Sequence, residues 1–173
     1  MIDMAKKISF GLSVSEVNKA IQEVEAYKKE LNNKVQIFAR RLSEFGLITA
    51  RAIIQSHTAS GSTIGSLRVV TDSTGQITRM RVVVESEAIL FLEFGAGITY
   101  NQGNENPKAG KLGYGVGTYP DQTHAYDPNG WWYQDENGEW KHSYGTKAVM
   151  PMYTASLVMA SSVVKIAREV FKS

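Results

Sequence analysis

The segment Gly145-Thr-Lys-Ala-Val-Met-Pro-Met-Tyr-Thr-Ala155 ends an irregular stretch and opens a periodic apolar tail. Pro151 marks a helix start, because its fixed φ suits the first turn and its missing N–H would be unpaired there in any case. Apolar residues then recur at Tyr153, Leu157, Val158, Val164, Ile166 and Val170, which predicts a C-terminal helix over residues 149–171. Upstream, Ile89-Leu-Phe-Leu-Glu-Phe-Gly95-Ala-Gly97 is a short apolar run stopped by glycine. It reads as two helical turns over 87–94, with Gly95 just past the end in the left-handed conformation that closes many helices. Phe94, next to that cap, is expected to point inward.

Further back, Ser13 and Ser15 are good N-caps and Glu16 puts a negative charge in a first turn. Apolar residues follow at Val17, Ile21, Val24, Leu31, Val35, Phe38, Leu42, Phe45 and Ala52. Steps of four and three alternate, interrupted only at Lys28 and Thr49, so a helix over 15–57 would present a narrow seam. At ~1.5 Å per residue it would run roughly 60 Å, more than a compact domain of this size can cover. Part of it must pack on a neighbour or break. Packing inside the domain is expected of the 38–54 half rather than of 17–31. The expected break lies at Lys28-Lys-Glu-Leu-Asn-Asn33, where adjacent Asn side chains compete with helix hydrogen bonds, with Gly46 a second weak point.

Residues 58–63 read as a loop. Two β-branched runs, 64–71 and 76–85, flank Asp72-Ser-Thr-Gly75 and predict a hairpin turned by Gly75. Arg68, Arg79 and Arg81 interleave with Val69, Val82 and Val84, so one face should be wet and the other packed on the long helix. From 96 to 146 Gly, Asn and Pro are dense and no period survives, which predicts a long Gly- and aromatic-rich loop. Its one expected ordered element is a hairpin over 131–142, two aromatic arms around Asn137-Gly138. A loop this long is usually functional or mobile, so it is the expected partner-binding surface, changing order on assembly. The fold class is therefore α+β: a single domain over 1–173 with an N-terminal arm at 1–14. A small antiparallel sheet, holding both hairpins, packs against the long N-terminal helix and the C-terminal helix.

Composition narrows function. The 173 residues are 43% hydrophobic and 21% charged, a globular balance with enough chain for a core. Absence of cysteine excludes disulfides, thiolate nucleophiles and zinc–thiolate or iron–sulfur sites. Lys and Arg total 19 against 17 Asp and Glu, too even for a dedicated nucleic-acid binder. No apolar run is long enough for a signal peptide or a membrane span, so a soluble, unexported protein without a membrane partner is expected.

No catalytic, metal or cofactor site is expected. His57, His124 and His142 fall in three different elements without a carboxylate or second histidine at ligand spacing. Gly113-Tyr-Gly-Val-Gly117 lacks the Lys-Ser/Thr of a nucleotide loop and opens no helix. Asp127, Asn129, Asp135, Asn137 and Glu139 miss the calcium-loop spacing and fit turn chemistry better. No Gly-x-Ser-x-Gly elbow or Ser-His-Asp set is visible. Trp131, Trp132, Tyr133 and Trp140 are open to two readings: a stacking platform, or one ring per strand packed inward with the others covering a subunit interface.

The tail from Gly145 through the apolar-Pro-apolar step Met150-Pro151-Met152 resembles the C-terminal region of the HK97 gp10-like family of phage tail-completion proteins. Glu93-Phe94-Gly95 resembles that family's Glu-Phe-Gly step, with Ala96-Gly97 where Thr-Gly is usual. The resemblance implies a non-enzymatic virion protein at the junction of head and tail, assembled in the host cytoplasm. It implies a ring of copies, six by analogy with the tail tube. Partners would be the tail-tube or terminator protein and the connector or stopper protein, with DNA contact confined to the lumen. Interface candidates are Phe94, Gly95, Gly97, Tyr114, Trp131, Trp132, Tyr133, Trp140, Val17, Ile21 and Val24. A tail-terminator or minor capsid role, a carbohydrate-binding module built on the tryptophans and an uncharacterised enzyme remain alternatives.

Overall fold

A computed structural model describes residues 7–57, 61–74, 77–86, 88–100, 105–118, 123–135 and 137–172. Helix α1, Val14–His57, is unbroken over 44 residues. It starts on a capping box: Ser13 Oγ accepts the Glu16 N–H, and the Glu16 carboxylate accepts the Ser13 N–H and hydroxyl. The expected break at 28–33 does not occur. Asn costs a helix at most about 0.7 kcal/mol relative to Ala, and the flanking Glu30–Lys34 ion pair at 3.1 Å bridges the weak turn.

Gly46 is no weak point either. A Cβ there would meet Met159 Sδ at 2.5 Å, so glycine lets α5, Pro151–Phe171, approach α1 closely. The two helices run antiparallel: Phe38 meets Phe171 at 6.1 Å between ring centroids, and Arg41 pairs with Glu169. Helix α5 therefore ends level with Phe38. Residues 14–37 of α1 project past it as a spur of roughly 35 Å at ~1.5 Å per residue.

The segment expected as loop and strand start differs. Gly61–Ser66 forms a short helix, α2, and the strand begins at Arg68. Thr63 is fully buried, and its hydroxyl pairs with Ser86 Oγ at 2.6 Å, which satisfies both groups. Strands β1, Arg68–Thr74, and β2, Ile77–Val83, pair antiparallel with Val69 opposite Val82 and Thr71 opposite Met80. The strands run to Thr74, paired with Ile77, so Asp72 to Thr74 belong to β1 and not to the expected turn; Gly75 lies outside the described residues. The face carrying Val82 packs on α1, while Arg68 and Arg81 point outward to Glu85 and Asp72.

Helix α3, Ala88–Phe94, is followed by the four-residue helix α4, Ala109–Leu112, which sequence did not signal. The strands β3, Trp131–Gln134, and β4, Trp140–Ser143, form a second hairpin. It is a separate two-stranded sheet, not part of the first as expected. Its loop spans five residues with only Gly138 at positive φ among those described, so it is not the two-residue Asn-Gly turn. Asp135 Oδ1 instead accepts the N–H groups of Asn137 and Glu139. The core, Ala50, Ile54, Leu67, Leu92 and Ala155, lies where α1, α3 and α5 meet.

Candidate interaction surfaces

The Glu-Phe-Gly step lies at the junction of α3 with α5. The expected geometry at Gly95 is present: φ is 78°, and its N–H bonds Phe91 O. Ala96 and Thr146 then exchange two N–H···O bonds of 2.8 Å, closing the whole 96–146 excursion at its base. Gly145 at φ 119° faces this bridge, and any Cβ there would collide with Ala96 O. Phe94 is buried against Tyr114, ring centroids 4.4 Å apart. Phe94, Gly95 and Gly97 are all buried within the subunit, which corrects their assignment as interface residues: they form the base of the loop.

Glu93 was not singled out by sequence for any role. Its buried carboxylate accepts N–H bonds from Met152 at 2.8 Å and Tyr153 at 2.9 Å, in the first turn of α5, and from Asn106 Nδ2 at 2.7 Å. The residue preceding Pro151, Met150, offers no side-chain cap and adopts a left-handed φ of 53°. Glu93 thus caps α5 from another helix, while Leu92 O takes the N–H groups of Val149 and Met150. Those bonds keep 149 and 150 out of the helix that sequence extended to them. Burial pushes the Glu93 carboxyl above its ordinary pKa, against the three N–H donors that pull it down.

The β3–β4 hairpin presents rings on one face. Trp132 is paired with His142, 4.8 Å apart and tilted 53°, and His142 meets Tyr144 edge-on at 4.6 Å. Trp132 and Trp140 are 64% and 63% exposed, and Tyr133 is exposed as well. Trp131 is half-buried and stacked on His124, so β3 supplies an inward ring but β4 does not, correcting the expected one ring per strand.

On the spur, Ile21 and Val24 are 51% and 52% exposed and Val17 is half-buried. Their seam continues the stripe that α5 covers from Phe38 onward. A feature absent from the sequence reading appears on α5. Its buried face uses Ala155, Ile166 and Val170, whereas Tyr153, Leu157, Ala160, Val164 and Ala167 repeat in steps of four and three along another face. Leu157 and Val164 are 52% and 58% exposed. Sequence placed Tyr153, Leu157 and Val164 in the same periodic set as Ile166 and Val170; the helix separates them.

An open groove of about 550 Å³ between α1 and the first hairpin is lined by Ile37, Arg40, Leu47, Val69 and Met80 among others, without a convergent acid–base or nucleophile set. Among the described residues no three His, Asp or Glu side chains are grouped to hold a metal, and no helix is long and apolar enough to cross a membrane. The Gly113–Gly117 segment follows α4 as a loop pinned by Tyr126 Oη on Val116 O. No protein-family model, curated protein or solved structure matches the chain.

Proposed function

We propose that this chain is a structural subunit of a phage neck, several copies of which close into a ring that joins the tail tube to the head-side connector. The observation that carries this reading is the spur: a rigid helix whose heptad-spaced Val17, Ile21, Val24, Leu31 and Val35 have no α5 beside them. Within the subunit Ala20 is buried and Val17 and Leu31 are half-buried, while Ile21, Val24 and Val35 stay exposed as a strip that another chain would cover. The Glu93-Phe94-Gly95 step and the Gly145 to Met152 tail, on whose sequence likeness to the tail-completion family the reading also draws, meet in one junction that closes the 96–146 excursion at its base. A map of the intact neck is the direct test. Density for a closed ring of this chain between tube and connector is expected, and a single copy in the virion would end the reading.

A second reading, a ligand-binding module, is favoured by the exposure of Trp132 and Trp140. It requires a monomer whose tryptophan fluorescence shifts on titration with oligosaccharide; the ring reading expects no shift.

A further inference from the structure

Resting on the ring reading, we propose that neighbouring copies join head-to-tail, with the spur of one copy lying antiparallel on the outward seam of the next copy's α5. The two surfaces share a period. Val17, Ile21, Val24, Leu31 and Val35 on the spur keep a heptad spacing interrupted at Lys28, and Tyr153, Leu157, Ala160, Val164 and Ala167 on α5 advance in steps of four and three. On α5, Ala160 and Ala167 alternate with larger residues, leaving holes that branched Val and Ile knobs fill. Their lengths agree too: α5 spans 21 residues, about 30 Å, against roughly 35 Å for the spur.

Charge fixes the direction. The first part of the spur carries Glu16, Glu23 and Glu25 against Lys19, and the later part carries Lys28, Lys29 and Lys34 against Glu30. Helix α5 has no charge from Pro151 to Val164, then Lys165 and Arg168, with Lys172 just past its end and Glu169 already engaged by Arg41. Setting the acidic end of the spur beside the basic end of α5 makes the pair antiparallel. That is also how α1 and α5 pack within one chain.

A copy's own α5 cannot cover its spur. Phe38 meets Phe171, so the spur extends beyond the end of its own α5 and, as one unbroken helix, does not fold back along it. A symmetric pairing of two spurs would leave Leu157 and Val164 in water, whereas one head-to-tail contact covers both seams. Every copy then carries one donor and one acceptor surface, and repetition of such a contact gives a ring or a filament.

The chain has no cysteine, so single cysteines give a clean readout. Mixing Ile21→Cys with Val164→Cys under mild oxidation should trap a dimer cross-linked between the two variants. The double variant should give a ladder ending in a closed ring whose mass counts the copies. Ile21→Glu and Val164→Glu, each checked for a native circular dichroism spectrum, should fail to assemble alone, while their equimolar mixture stops at one-to-one dimers in native mass spectrometry. Assembly of Val164→Glu like the wild type, or cross-links that join only two Ile21→Cys chains to each other, overturns the head-to-tail pairing while the ring stands. A wild type that forms no oligomers, in solution or in purified tails, together with cysteine variants that give no cross-links, overturns both.

Discussion

Glu93 shows how one carboxylate can organise a junction. It spans the separation from α3 to α5 and Asn106, so its removal leaves two helix N–H groups and an amide without their acceptor. Glu93→Ala should therefore destabilise the subunit by roughly 2–3 kcal/mol in urea unfolding. Because the folded carboxyl binds its proton more tightly than the unfolded one, stability from this group is fully present below the ordinary carboxyl value of 4.5 and is lost as pH rises through the folded value. The wild type should lose stability relative to Glu93→Gln as pH is raised from 4.5 to 7; a difference that is flat, or rises, would contradict the burial argument. Phe94→Ala, emptying a buried site against Tyr114, should cost about 3–5 kcal/mol and lower the melting temperature directly. Gly95→Val places a β-branched side chain at φ 78° and should cost more than the ~1 kcal/mol of a plain Cβ.

At the scale of elements, the legible features were those with local signals. The seam of α1, Pro151 at the start of α5 and Gly95 at the end of α3 each depend on residues within a turn or two, and each element is present. Glu93 was illegible as a cap because its partners lie 59 and 60 residues away. The Asn32-Asn33 break was an overestimate of a small propensity against long, cooperative helix. Separation of the two hairpins into different sheets depends on tertiary placement, which alternation within a strand does not encode. The same holds for α5: one apolar list hid two faces. As the Trp140 ring is exposed, Trp140→Ala should change stability by less than about 1 kcal/mol by thermal unfolding, yet impair tail joining if this face meets a neck partner. A large fall in melting temperature would return Trp140 to the core.

Across the whole molecule, cohesion is unevenly distributed along α1. Residues 38–57 share the core with α3, α5 and the first hairpin, and Ala50 and Ile54 are fully buried there. The spur has its own backbone hydrogen bonds, the Ser13–Glu16 box, the Glu30–Lys34 pair and a buried Ala20, but Ile21, Val24 and Val35 are exposed. Helical hydrogen bonds without a packed face are marginal in water, and opening free energies follow local packing rather than helix length. Amide exchange in the free subunit should therefore divide α1 near Phe38, fast on the spur and slow beyond it, although the helix is geometrically continuous. Assembly covers the seam, so the spur amides should then slow by at least about tenfold, equivalent to about 1.4 kcal/mol of added protection. Within the 96–146 excursion, slowing should fall on exposed turns, while the Ala96 and Thr146 amides, bonded to each other in the subunit, stay slow in both states. Uniform protection along α1 in the free chain would mean that its stability does not depend on a neighbour, and the case for the spur as an assembly element would fail.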